Sequence, residues 1–302
     1  MNPFAIAIMG PTASGKSDAA EELASLFGSR IVNADAFQVY RGFNIGTNKP
    51  ANRERYDLID ILDPGDSFSA GQFVSLARPI CAEYGAERRH SVVCGGTGLY
   101  VRALFDEFSE MSGHSEKLRE KLRADLEHLG PDALLTSVGI GVGEPSQATK
   151  TNPVRLLRYI EKRLDPRAPS QASSPWQARR LKFGLRWDRR ALAERIDKRV
   201  RVMVHNGWRF EVERLLDSGV QEHWPVFRAI GYREMANCVR GDISIDSAVE
   251  RIRIRTRQYA KRQMTWLAKE RGLRWLDGSS SASQIAGQIV DISREEQDGE
   301  VD

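Results

Sequence analysis

The chain opens as short apolar runs that alternate with helical periods. Phe4 to Met9 is uninterrupted apolar sequence of strand length, and a helical period runs from Asp18 to Phe27. Ser29 to Asn33 predicts a second strand, ending at Ala34-Asp35. Phe73, Leu76, Ala77 and Ile80 recur at helical spacing within Ser69 to Glu83. His90 to Cys94 is another strand-like run, broken by Gly95-Gly96 before a helix from Leu99. Strands alternating with helices predict an α/β fold with a doubly wound parallel sheet, whose ligands meet the carboxyl ends of the strands.

The period then changes. Leu118, Leu122, Leu126 and Leu129 make one stripe of a helix over 115–129, stopped by Gly130-Pro131. Glycine-rich sequence from Gly139 to Gly143, a helix around Arg155 to Arg163 and a breaker-rich stretch from Asp165 to Pro175 follow. This pattern predicts a helical insertion domain over 112–180 between core segments 1–111 and 181–302. From about residue 188 the pattern is mostly helical. The acidic end, with Glu295, Glu296, Asp298, Glu300 and Asp302, is expected to fray.

Composition changes the picture little. The 302 residues are 41% hydrophobic and 28% charged with a net charge of +4, enough chain for one large domain with an insert. No apolar run reaches membrane-spanning length and no basic-then-apolar leader is visible. Cys81, Cys94 and Cys238 stand too far apart for metal or disulfide spacing. The expectation is a reduced, cytoplasmic protein without a membrane partner.

Candidate chemistry is concentrated where the first strand meets the first helix. Gly10-Pro11-Thr12-Ala13-Ser14-Gly15-Lys16-Ser17 fills every position of the phosphate-cradling pattern GxxxxGK[ST], in its strand-to-helix context. Glycines let backbone N–H groups turn onto an anion, the helix N-terminus adds its dipole, Lys16 adds a mobile charge and Ser17 offers a hydroxyl to Mg²⁺. The expected fold is therefore P-loop NTPase-like. The run Val92-Val93-Cys94 ends in Gly95-Gly96-Thr97-Gly98 without the acidic residue that hydrolysing NTPases place there, which argues against a motor or switch. Asp35 is the carboxylate best placed at a strand's carboxyl end, where it can take a proton from a nucleophile or simply cap a turn. The Gly95–Gly98 run allows close approach of a planar ligand, with the Thr97 hydroxyl as a polar contact, or is only a turn.

A second region is dense in positive charge. On a helix, RIRIRTRQYAKRQMTW (251–266) puts Arg251, Arg255 and Arg262 on one face, with Arg253, Arg257 and Lys261 on another, beside Ile252, Tyr259 and Trp266. Such a helix docks on a core and grips a polyanion, or it is a solvated charged face. Arg155 and Arg158 form a basic pair in the insert, and Arg228 and Arg233 flank Gly231-Tyr232. An anion cradle with several arginine clusters suggests a phosphorylated small substrate together with a nucleic acid.

In this order, GPTASGKS (10–17), NADAFQVYRGFNIGT (33–47), DLIDILDP (57–64), GGTGLYVRAL (95–104), RLLRYIE (155–161), RIDKRVRVMVHNGWRFEVERLL (195–216), RAIGYREM (228–235) and TRQYAKRQMTW (256–266) closely resemble the tRNA dimethylallyltransferase (tRNA isopentenyltransferase) family. The resemblance covers most of the chain. It implies transfer of a dimethylallyl group from dimethylallyl pyrophosphate to the exocyclic amine of the adenosine 3′ of the anticodon, with pyrophosphate released and Mg²⁺ as cofactor. The phosphate loop would then hold the donor, although the motif invites an ATP-binding label. Asp35 would remove the amine proton, while Lys16 and the loop amides would stabilise the leaving group. Thr12 would contribute a hydroxyl near the donor, and Arg195 or Arg199 would reach the pyrophosphate. Asp35, Ala36, Phe37, Gln38 and Thr97 would meet an adenine extruded from its stack. The resemblance further implies tRNA contacts from Val154, Arg155, Arg158, Arg228, Gly231, Tyr232, Arg233, Arg257, Lys261 and Arg262. The anticodon stem-loop would be bound one-to-one by a monomer.

Two departures from the family pattern stand out. Ala36 replaces the serine that usually follows Asp35, and residues 139–153 depart from the Asp-Pro-rich family segment. A small-molecule kinase would share the phosphate loop and insert but leaves the 251–266 helix unexplained. A nucleotide-switched RNA-binding module is disfavoured by the missing acid after Cys94.

Overall fold

The computed structural model describes residues 3–106, 109–110, 116–164, 171–172 and 179–298. β1 (Phe4–Met9) is buried at every position and leads through residues 10–15 into α1 (Lys16–Phe27). Gly15 takes φ +83° and ends the loop, so the helix begins at Lys16 rather than at the expected Asp18. β2 (Ile31–Asn33), the two-residue β3 (Tyr56–Asp57), α2 (Ala70–Ala86), β4 (Ser91–Gly95) and α3 (Gly98–Phe105) follow. Ser69 and Gln72 cap α2 reciprocally.

Next come β5 (Ser109–Glu110), α4 (Glu116–Leu129), α5 (Pro131–Ser137), α6 (Gln147–Lys150), α7 (Pro153–Leu164) and β6 (Gln171–Ala172). The remaining elements are β7 (Arg179–Arg186), α8 (Arg189–His205), α9 (Trp208–Asp217), α10 (Tyr232–Val239), α11 (Ile245–Leu267), β8 (Leu273–Asp277) and α12 (Ala282–Asp298).

β1–β4, β7 and β8 form one six-stranded sheet in the order β3-β2-β4-β1-β7-β8, every pair parallel. Three of its strands escape the sequence pattern, among them β7, whose apolar positions are interrupted by Lys182 and Gly184. β3 is two residues long, and β8 is half-buried at the sheet edge, so neither carries a strong apolar period. The chain divides into two compact units, Met1–Asp106 with Trp176–Asp302, and Glu107–Pro175. Arg179 and Arg180, expected within the insert, pair with Phe4 and Ala5 as the start of β7. Of the breaker-rich stretch 165–175, Gln171–Ala172 pairs antiparallel with β5, and 165–170 and 173–175 lie outside the described residues.

On one face of the sheet, Ile6 and Ile8 of β1, Val92 of β4 and Phe183 of β7 pack against Leu23 of α1 and Ile285, Ala286 and Ile289 of α12. The expected fraying of the acidic end is therefore corrected. The helix reaches Asp298 because its apolar stripe docks beside α1, and only Glu300 and Asp302 of the named acids lie outside the described residues. A second cluster joins Val39, Tyr40 and Phe43 to α8–α11 through Ile196, Val200, Trp208, Tyr232 and Ile252. The unit Glu107–Pro175 has its own apolar centre of Leu122, Leu134, Leu135, Ile140, Leu156 and Ile160.

Candidate active site

The phosphate loop is braced from outside. Ala13 and Gly15 sit in the left-handed region at φ +65° and +83°, alternating with Ser14, a geometry that curls successive N–H groups toward one point. Carbonyls are tied outward: Arg195 Nε donates to Ala13 O at 2.8 Å, and Trp187 Nε1 donates to Ser14 O at 3.0 Å. The Arg195 guanidinium also lies over the Trp187 ring, 4.4 Å from its centroid. Ser14 N donates to Pro11 O at 3.2 Å. Lys16 and Ser17 occupy the first turn of α1, whose amides have no helical acceptor.

The electrostatics of this loop suit an anion. Burial pushes the Lys16 ammonium below its usual value, and Cys94, Arg199 and Asp35 act on it through space. Arg199 of α8 is pushed down to about 10 by burial, partly offset by Asp35 and Asp18. Its Nε and the Ser14 hydroxyl are buried without hydrogen-bond partners. Desolvated cations and unpaired donors gathered around one loop are costly unless an anion compensates them.

A cavity of about 370 Å³ joins this loop to the first unit's helical cluster. Thr12, Lys16, Ser17 and Arg199 line one part, with Asp35, Phe37 and Gln38 beside them. Ile196, Val200 and Met203, spaced along one face of α8, give it an apolar wall with Trp208 and Ile252. A second cavity of about 590 Å³ shares Lys16, Ser17, Asn48, Arg199 and Met203 with the first and adds Lys49, Arg53, Arg195 and Lys198. The loop is thus approached by two openings, one strongly basic.

Asp35 follows β2. Its Oδ1 accepts from Phe37 N at 2.9 Å and from Gln38 N at 3.4 Å, so the turn-capping reading is correct for that oxygen while Oδ2 has no such bond. Thr97 Oγ1 accepts from Ala36 N at 3.1 Å and does not line the cavity, so it shapes the Asp35 turn. Gln38 Nε2 donates to Thr47 O and Asn48 O, both at 3.0 Å, which fixes another part of the rim.

Several residues escaped the sequence reading because their partners are distant in the chain. Glu211 of α9 is buried, accepts from Asn44 N at 2.9 Å, Ile45 N at 2.8 Å and Gly46 N at 3.4 Å, and takes the Tyr232 hydroxyl at 2.8 Å. It anchors the 44–48 loop that supplies Gly46, Thr47 and Asn48 to the cavity. Gln263 of α11 bonds both Thr12 and Gly96. The only sequence trace of these residues is their place inside the quoted motifs.

Two of the expected tRNA contacts are corrected. Tyr232 is fully buried against Trp208, Phe43 and Glu211, and Gly231 is buried at φ +101°, where a Cβ would overlap the Trp208 ring. Both are core residues with no surface to offer a nucleic acid. Arg257 is claimed by Asp197 of α8: its Nε donates to Oδ1 at 3.0 Å, and Arg253 Nη2 donates to Oδ2 at 2.5 Å. Arg228, Arg233, Lys261 and Arg262 are exposed, and Arg228 and Arg262 also line the first cavity. In the other unit, Val154, Arg155 and Arg158 are exposed on α7, whose Leu156 and Ile160 turn into its apolar centre.

Among the described residues, no group of three or more His, Cys, Asp or Glu side chains could hold a metal, and no helix is long and apolar enough to cross a membrane.

Comparison with known proteins gives one answer. The IPP transferase family model matches residues 38–270, and an isopentenyl transferase model matches residues 4–60. A tRNA dimethylallyltransferase 2 of Geotalea daltonii is 36% identical, the match taking in 95% of this chain and 91% of that one. A tRNA dimethylallyltransferase of Anaeromyxobacter dehalogenans is 37% identical over 90% of this chain and 94% of its own. Among solved structures, the tRNA isopentenylpyrophosphate transferase of Bacillus halodurans superposes with a TM-score of 0.71 at 30% identity, covering 99% of each chain. A eukaryotic dimethylallyltransferase acting on tRNA gives a TM-score of 0.79 at 26% identity, over 97% of this chain and 80% of that one.

Proposed function

Because the chain belongs to the IPP transferase family and is a tRNA prenyltransferase, we propose that its donor is dimethylallyl pyrophosphate and its acceptor the exocyclic amine of the adenosine 3′ of the anticodon. One observation carries this reading: an anion cradle with unpaired donors opens into the same cavity as a carboxylate and an apolar wall. A pyrophosphate bearing a short branched hydrocarbon matches the cradle and the Ile196–Val200–Met203 stripe. Phosphoryl transfer, the kinase alternative, finds no support in the family matches.

In the proposed step the adenine amine attacks the allylic carbon. A C–N bond forms, the C–O bond to pyrophosphate breaks, and the amine proton passes to Asp35 Oδ2. Oδ1 stays engaged by Phe37 and Gln38, so the turn holds the acceptor oxygen in place while it takes the proton. Charge grows on the departing pyrophosphate, where the loop amides, Lys16 and Arg199 are already arranged. Thr12 lines the cavity and offers a hydroxyl, and Arg195 serves by bracing the loop. The base must leave the anticodon-loop stack, and Phe37, which lines the cavity, would offer it a ring to stack on.

The donor set fits Mg²⁺. Ser17 supplies one hydroxyl at the cavity, and Mg²⁺ characteristically takes its other ligands from phosphate oxygens and water. When bound it would neutralise pyrophosphate charge. Exposed Arg228, Arg233, Lys261 and Arg262, and in the other unit Val154, Arg155 and Arg158, are the proposed tRNA contacts.

The test is incubation of the protein with Mg²⁺, unmodified tRNA and labelled dimethylallyl pyrophosphate, with labelled ATP in parallel. Label at the adenosine beside the anticodon with ATP untouched supports the reading; label elsewhere in the tRNA, or none, overturns it.

A further inference from the structure

Gln263 lies between the two loops that the proposed reaction must hold at a fixed distance. It projects from α11, and its side chain is buried. Oε1 accepts from Thr12 N at 2.9 Å, inside the phosphate loop. Nε2 donates to Gly96 O at 3.0 Å, in the turn after β4. A Cβ at Gly96 would stand 2.5 Å from Gln263 Nε2 and would displace the amide. The next residue, Thr97, accepts from Ala36 N, and Asp35 is one residue further back. A continuous path of hydrogen bonds therefore runs from Thr12 through Gln263 and the 96–97 turn to the Asp35 turn. A primary amide of this length offers one acceptor and one donor at these two places whatever the pH.

We infer that Gln263 is a positioning residue: its amide fixes the phosphate loop relative to the Asp35 turn and so sets the distance between leaving group and proton acceptor. The inference rests on the proposed prenyl transfer. Side chains that hold reacting groups in register act on turnover more than on affinity, and a shift of about 1 Å at the chemistry can cost on the order of 100-fold. Neither bond of Gln263 touches the substrate, so the role is distinct from binding.

Gln263→Glu separates positioning from packing because it keeps size and shape. As an ionised carboxylate it still accepts from Thr12 N–H but opposes Gly96 O with a second acceptor. Protonated, it donates to Gly96 O as the amide does. Burial raises a carboxyl pKa, so the protonated form is reached on mild acidification. The ionisable groups of the cavity that Thr12 lines are Lys16, Asp35, Tyr56, Cys94, Arg199, Arg228, Arg255, Tyr259 and Arg262, and the wild-type profile measured alongside carries their titration.

Turnover is best followed as the ratio of Q263E to wild type from pH 8.5 to pH 6, with KM for donor and tRNA determined at each end. The expected result is a kcat lower by about 100-fold at the alkaline end, KM values within about threefold of wild type, and a ratio that climbs as pH falls. A ratio flat with pH, or a changed melting temperature with unchanged kcat, overturns the inference. Gln263→Met, which retains length but makes neither bond, provides the reading if Q263E does not fold: lost kcat with retained KM supports positioning, and unchanged kcat overturns it. Wild-type protein that transfers no prenyl group would instead overturn the proposed function.

Discussion

Asp35 divides its work between its two oxygens, and that division can be tested. Asp35→Asn keeps an oxygen for Phe37 N and Gln38 N but removes the proton acceptor. Transfer should fall by about 10²- to 10⁴-fold with melting temperature and tRNA affinity near wild type, as read by single-turnover kinetics and filter binding. Sequence alone located this carboxylate because the end of a strand is a local signal. It located Gly10 to Ser17 for the same reason, since the motif is contiguous. The bracing of that loop was not legible, because Trp187, Arg195 and Gln263 come from more than 170 residues further along the chain. Tyr232 shows the opposite failure. Its motif suggested recognition, yet the hydroxyl belongs to Glu211, 21 residues earlier, and nothing in the sequence says which side of α10 is buried.

Among the elements, α11 carries the chain's densest positive charge, and part of that charge is structural. Asp197 is held below the usual carboxylate range first by its bond from Arg253 and also by Arg257, which pins α8 to α11. Asp197→Asn should cost about 2 kcal/mol at neutral pH. A depressed folded-state pKa contributes stability above the unfolded value near 3.9, and loses it as pH falls through the folded value. The stability gap between wild type and variant, measured by urea unfolding, should therefore close below about pH 4. α12 makes a parallel point. Its acids suggested a loose end, but Ile285, Ala286 and Ile289 form a stripe completed only by α1 and the sheet. Ile289→Ala should destabilise the protein by about 2–5 kcal/mol, as read by its denaturation midpoint. Periodic elements such as α4 and α7 were legible from the sequence, whereas β3 and β8 were too short or too exposed to announce themselves.

For the whole molecule, charge and chain order matter most. Arg257 is internally paired, so Lys261 and Arg262 are the better probes of polyanion binding by α11. Replacing both with alanine should reduce the salt slope of tRNA binding by about 0.7 to 0.9 per lost phosphate contact, with donor affinity unchanged. A filter-binding titration across salt concentrations measures this directly.

The strand order has a consequence for how the protein is made. β1 lies between β4 and β7, so one of its edges stays open until Arg179 to Arg186 leave the ribosome. At about 5–20 residues per second, the wait from Gly95 to Arg179 lasts roughly 4–17 s. The intervening segment, whose apolar centre spans Leu122 to Ile160, can close on itself during that time. FAIAIM cannot, and its uncharged, strand-forming sequence is the kind of exposed nascent stretch that a chaperone would shield.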